Sequence, residues 1–206
     1  MIRLPERPRG FGGGSWRQAA FASLDFETTG LDLQGDDIIS FGVVPIERGR
    51  ILPGRSTYRE VRPDRPLKPA SIGVHGLRPV DLAAALPLGA VVDALHDALE
   101  GRYVLAWAAE IEAAFLARAF GRRPTWWRRQ IVDVLRLALL VEETVDGRHQ
   151  DFSLSAVADR LGVPVEHPHH ALDDALTTAE VFLVLLPDLE RRGIKTPRRL
   201  LRAGRG

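Results

Sequence analysis

The spacing of apolar residues changes once along this chain, and the change limits the fold more than any other feature. Up to about residue 62 the apolar runs are short and rich in β-branched residues; from residue 91 they recur at three- and four-residue steps. AAFASLDF (19–26), DDIISFGVVPIE (36–47) and a stretch near 55–62 read as strands joined by tight turns, which implies an antiparallel meander. VVDALHDALEG (91–101) reads as a helix closed by Gly101, YVLAWA (103–108) as a short buried strand, and 109–120 as a helix ending at Gly121. Asp133 and Ser153 stand where N-caps open helices over Val134–Glu142 and Leu154–Leu161. A long helix follows from about His170 to Leu186, and a short basic one closes the chain. Strands first, then helices alternating with single strands, predict one mixed α/β domain with helices packed on the sheet.

Inside the first strand, ASLDFETTG (22–30) sets two carboxylates in an apolar run. An unpaired buried carboxylate costs several kcal/mol, so such groups are neutralised, paired or bound to metal. Residues two apart on a strand share a face, so Asp25 and Glu27 project together while Phe26 points to the opposite, packed side. The chain has no cysteine, which excludes disulfides and thiolate metal sites. A metal here is held by oxygen or imidazole, and hard oxygen ligands on a rigid strand suit magnesium or manganese. Thr28-Thr29-Gly30 then turns the backbone away and leaves room for a substrate. The competing reading is a solvated strand end carrying two surface acids.

The second informative stretch is HPHHALDDALTTAEVFLVLL (167–186). Pro168 disfavours a helical residue before it, so the helix begins after it. Within an ideal helix His169 and Asp174 would differ by about 140° in direction, so His169 converges with Asp174 only from the entry loop. A loop imidazole there changes protonation near neutral pH. The plainer readings are a surface histidine, with Asp173 and Asp174 as partners of the helix dipole.

DFETTG, followed far downstream by HHALDDALTTAEVF, resembles the first and last motifs of the DEDDh 3′→5′ exonucleases, a family that includes the proofreading epsilon subunit of DNA polymerase III and ribonuclease T. IGVHGL (72–77), IVDVLRLA (131–138) and FSLSAVADRLGVPV (152–165) also match its spacing, and the resemblance covers roughly residues 20 to 187. It implies a ribonuclease-H-like fold, a mixed five-stranded sheet flanked by helices. It also implies two Mg²⁺ or Mn²⁺ ions held by Asp25, Glu27, Asp174 and a fourth acid, with His169 as general base. The family's middle motif is matched here by AWAAEIEAAFL (106–116), where Trp107 and Ala108 replace the usual His and Asn. Glu112 takes the position of the fourth acid, one methylene longer than Asp, with Glu110 the weaker candidate. His75 matches a substrate-pocket position, and Thr28, Thr29 and Trp107 are the other expected substrate contacts.

The expected organisation is a mobile arm over 1–18, an exonuclease domain over 19–190 and a basic tail over 191–206. No apolar run approaches the roughly 18 residues that cross a membrane, and the start lacks the apolar core of a signal peptide, so the expected location is cytoplasmic. The net charge of +1 argues neither for nor against nucleic acid, because a local basic patch coexists with a neutral total. Trp126-Trp127 between arginine pairs either stacks bases or packs under its loop. The function expected is metal-dependent release of nucleotides from 3′ ends, on DNA, with a DNA polymerase as an expected partner. The alternatives are a nucleic-acid-binding module with weakened chemistry and the same chemistry on RNA.

Overall fold

The computed structural model describes residues 3–6, 8, 13–30, 32–142 and 151–205. Strands β1 (Ala20–Thr28), β2 (Ile38–Glu47), β3 (Arg50–Ile51) and β4 (Thr57–Arg62) come first. Helices α1 (Pro69–His75) and α2 (Pro79–Leu82), strand β5 (Leu86–Pro87) and helix α3 (Leu88–Leu99) follow. Then come β6 (Tyr103–Ala106), α4 (Ala109–Phe120), α5 (Pro124–Arg128), β7 (Ile131–Asp133), α6 (Val134–Glu142), α7 (Leu154–Arg160), α8 (Ala171–Arg191) and α9 (Pro197–Ala203).

The seven strands form one mixed sheet in the order β5-β4-β2-β1-β6-β7, with β3 beside β2. β1 pairs antiparallel with β2 and parallel with β6, so the chain's first strand lies at the centre of the sheet. The four strands read from the sequence are β1, β2, β4 and β6; the resemblance implied five, and the count is seven because β3, β5 and the three-residue β7 are too short to leave a periodic signal.

Alternation along β1 divides the core. Ala22, Leu24 and Phe26 face α3 and α4, where Phe26 meets the ring of Phe115 at 6.3 Å between centroids. Phe21 points the other way, into the apolar face of α6, α7 and α8, and packs on Phe182 at 5.2 Å. Each face buries enough Leu, Val and Phe to hold its helices, at about 1.5–3 kcal/mol per fully buried large side chain.

Three local expectations change. The core reaches into the segment expected as an arm: Trp16 is 5% exposed, and its indole N–H donates to Glu190 at 2.6 Å. The amphipathic Trp has an apolar ring to bury and one polar atom to satisfy, and both needs are met against the end of α8. The rest of the expected arm at residues 1, 2, 7 and 9–12 lies outside the described residues. The short basic helix expected to close the chain forms as α9, capped by the Thr196 hydroxyl, but Leu200 and Leu201 pack it into the core rather than leaving it as a separate tail. Helix α8 continues through Pro187 to Arg191, because Leu185, Leu186 and Leu189 extend its buried stripe beyond the proline. Tertiary burial there offsets the proline's cost of about 3 kcal/mol.

Candidate active site

Asp25 and Glu27 lie near the carboxyl end of β1, on the side that receives the start of α8. The ladder between β1 and β2 breaks its register between Glu27 and Thr28, so the chain leaves the sheet at once. That exit is anchored from below. Thr29 donates its hydroxyl to Asp36 at 2.9 Å and accepts from the Asp37 N–H at 2.9 Å, while Thr28 donates to the Gly30 carbonyl at 2.7 Å. Asp36, 3% exposed, also takes the Lys68 ammonium at 2.6 Å. Burial would raise the Asp36 carboxyl, but Lys68 and the Asp32 and Thr29 donors outweigh it and hold it low. Both threonine hydroxyls, expected as substrate contacts, donate within the turn that shapes the site.

Asp174 arrives from the first turn of α8. Its carboxylate accepts the His169 backbone N–H at 2.9 Å, and His169 adopts the left-handed backbone region at φ 64°. This conformation is uncommon for a residue with a Cβ and turns the loop back over the helix start. Glu27, His169 and Asp174 thereby bring ligand atoms within 4.8 Å of one another. The neighbouring imidazoles go elsewhere: Nδ1 of His167 and of His170 lie 3.0 and 3.1 Å from Asp173, and His170 also stacks on Tyr58 at 4.7 Å.

Glu112 comes from the first turn of α4 and is 4% exposed, whereas Glu110 points to solvent. Glu112 is near enough to Asp25 to raise its pKa. His75 ends α1 at the rim, its Nδ1 accepting from the Leu77 N–H at 3.0 Å. Burial first and then the nearby His169 lower its pKa. Trp107 packs, partly exposed, against the α6–α8 side of the core.

The electrostatics have one sign. Burial, followed by Glu112, Glu27 and Asp174, pushes the Asp25 carboxyl well above its ordinary range. Burial and Asp174 lift Glu27 to about 8, and burial lifts Glu112 to about 8 as well. Asp174 is raised too, chiefly by burial. Carboxylates crowded out of water are held neutral unless a cation joins them. The buried Oε2 of Glu112 has no hydrogen-bond partner among the described residues. Four carboxylates, one of them with an orphaned buried oxygen, are a donor set that fits hard divalent cations, with one imidazole beside them.

Asp133, Gly42 and the Asp36–Lys68 pair also shape this site and are not among the residues singled out from sequence as functional. Asp133 reads from sequence as a cap and does serve as one, accepting the Arg136 N–H at 3.0 Å, but it also reaches α4. The signal for Gly42 was present: an isolated glycine within a strand marks a close backbone approach.

Solved structures share this architecture. E. coli exonuclease I in complex with a dT13 oligonucleotide superposes with a TM-score of 0.72 at 16% identity, over 85% of this chain and 43% of that one. The fold is ribonuclease-H-like. The chain belongs to the RNase T exonuclease family, whose model matches residues 23–182. It is 35% identical to a DNA polymerase III subunit epsilon-like protein of Rhodobacter capsulatus over 85% of this chain and 25% of that protein. It is 24% identical to the 3′-5′ exonuclease DinG of Staphylococcus epidermidis over 88% of this chain and 20% of that one. The chain thus spans a quarter or less of these relatives' own length. Exonucleases of this family use divalent metal ions, in keeping with the donor set. No helix among the described residues is long and apolar enough to cross a membrane.

Proposed function

We propose that this protein is a 3′→5′ exonuclease that releases nucleotides from the 3′ ends of DNA, with magnesium or manganese held by Asp25, Glu27, Glu112 and Asp174. The observation that carries the reading is the convergence of Glu27, His169 and Asp174 within 4.8 Å beside the half-buried Asp25 and the buried Glu112. Two divalent cations, when bound, stabilise the attacking and leaving oxygens of a phosphodiester in line.

The chain's own residues supply the rest. His169 takes the proton of the attacking water, a role worth about 10²–10⁴ in rate. Asp174 fixes that imidazole by holding its backbone N–H as well as facing the metal centre. The turn at Thr28–Gly30, pinned by Asp36 and Lys68, keeps the floor of the site in place as the terminal nucleotide enters. His75 at the rim and Trp107 beside β6 line the approach to the terminal sugar and base.

DNA as substrate is supported by the name of the epsilon-like relative and by the dT13 oligonucleotide held by exonuclease I, and the 3′→5′ direction by the name of the DinG exonuclease. The epsilon-like name of the Rhodobacter protein also supports a DNA polymerase as partner. Degradation of matched DNA and RNA single strands, labelled at the 5′ end, tests the reading. A ladder shortening from the 3′ end, faster on DNA, is the expected result; internal cuts, or immediate release of the labelled 5′ nucleotide, would refute the assignment.

A further inference from the structure

Helix α4 carries Glu112 into the site yet begins without a cap of its own: Ala108 occupies the N-cap position and offers no side-chain acceptor. An orphan N–H at a buried helix start needs a partner. Asp133, at the end of β7 and 5% exposed, provides it. Its Oδ2 accepts the Ala109 N–H at 3.3 Å and lies 3.4 Å from the Arg128 guanidinium. Its Oδ1 accepts the Arg136 N–H at 3.0 Å in the first turn of α6. One carboxylate thus joins the starts of two helices.

Asp133 is itself held from two sides. It pairs with Ala106 on β6, the strand that leads into α4. On the other side the end of α9 presses against its backbone, since a Cβ on Gly204 would stand 2.8 Å from the Asp133 nitrogen. The anchor is rigid, and Glu112 is only three residues, less than one helical turn, beyond the N–H it holds.

We infer that Asp133 is a positioning residue, which fixes the first turn of α4 and so sets the place of the Glu112 carboxylate in the metal centre. The inference rests on the exonuclease reading and on Glu112 as a metal ligand. Glu112 is one methylene longer than the aspartate expected at its position, so its reach depends more on where the helix begins. Asp133→Asn keeps the size of the side chain and one acceptor for Arg136, but turns an amide donor toward the Ala109 N–H and Arg128.

The test is a double-mutant cycle in which Mn²⁺ binding is measured by calorimetry on folded protein. Wild type, Asp133→Asn, Glu112→Gln and the double variant are compared, and thermal unfolding confirms that each is folded. Asp133→Asn should bind Mn²⁺ about 10–100-fold more weakly than wild type, the usual loss on removing a group that orients a ligand. In the Glu112→Gln background the same change should cost less than twofold, since the group it positions is already gone. In turnover it should lower kcat and leave KM for the oligonucleotide within twofold. If Glu112→Gln leaves too little binding to measure, Glu112→Asp replaces it, and the Asp133→Asn loss should differ at least threefold from that in wild type. Unchanged Mn²⁺ affinity in Asp133→Asn, or an equal loss in both backgrounds, overturns the inference. Failure of the wild-type protein to bind Mn²⁺ would instead refute the exonuclease reading itself.

Discussion

Gly42 stands directly across the β1–β2 ladder from Asp25, and the first turn of α8 rests on it. A Cβ at Gly42 would lie 2.5 Å from the carbonyl carbon of Ala171 and nearer still to its oxygen and to Cα of Leu172. These are backbone atoms that cannot swing aside, so α8 reaches this depth because the residue below it has no side chain. That depth delivers Asp174 and His169 to the acids of β1.

Gly42→Ala should therefore lift the start of α8 while leaving most of the sheet intact. The expected result is a loss of about 1–3 kcal/mol of stability from overpacking. Nuclease turnover should fall about 100-fold, as a misplacement near 1 Å commonly brings. Melting temperature and kcat, measured on one preparation, check this; wild-type turnover would show that the depth of α8 does not control the chemistry.

The three adjacent histidines should separate in kinetics as they do in space. His169 shares its site with Glu27 and Asp174, whereas His167 and His170 face Asp173. His169→Ala should lose about 10²–10⁴ in kcat, with Mn²⁺ affinity largely kept. His167→Ala and His170→Ala should stay within about tenfold of wild type. A parallel fall of Mn²⁺ affinity and rate in His169→Ala would make the imidazole a ligand rather than a base.

Stability of the metal-free protein should fall as pH rises. Glu27 and Glu112 sit at about 8 in the fold against 4.5 ordinarily, so between those values the folded chain keeps protons that the unfolded chain releases. With fewer protons bound to the unfolded state, the unfolding free energy declines with pH, by about 1.4 kcal/mol per pH unit for each such group. The melting temperature in chelator should be higher at pH 5.5 than at pH 8, and excess Mn²⁺ should reverse that order. Glu27→Gln and Glu112→Gln should each flatten the slope. A metal-free melting temperature that climbs toward pH 8 would contradict the electrostatics of the site.

Glu112 decides whether the site runs on four carboxylates. It is buried with one oxygen unpartnered, and its extra methylene would carry the carboxylate about 1.5 Å beyond an aspartate's reach in a fixed site. Magnesium demands near-octahedral geometry at about 2.0–2.1 Å but keeps several waters, through which a longer acid can act. Glu112→Gln should cut activity at least about 100-fold, while Glu112→Asp should retain a substantial part. Wild-type activity in Glu112→Gln would reduce the site to Asp25, Glu27 and Asp174.

Much of this was legible because it is written in local pattern. Period-2 runs placed β1, β2 and β4, and Gly121, which caps α4 at φ 72°, marked that helix end. The acids two apart on β1, and His169 with Asp174 across a helix start, were legible as spacing. What was hidden depends on distant partners. Trp16 carries no sign that it will find Glu190, nor Asp36 that Lys68 will reach it from 32 residues away. The short helices α1, α2 and α5 gave no periodic signal in so few residues, and two-residue strands are defined by pairing alone. Asp133 was visible as a cap for the helix that follows it, while its bond to α4 exists only once β6 and β7 lie side by side.

The proposed function rests on the acids of β1, α4 and α8 holding divalent metal for the removal of 3′-terminal nucleotides. The most direct measurement is single-turnover release of mononucleotide from a 5′-labelled DNA single strand by metal-stripped protein, before and after Mg²⁺ or Mn²⁺ is added, beside Asp174→Asn under the same conditions. No release is expected in chelator, with stepwise shortening from the 3′ end once metal is present and a loss of at least about 10³-fold in Asp174→Asn. Undiminished release by metal-stripped protein, or full activity in Asp174→Asn, would contradict the proposed function.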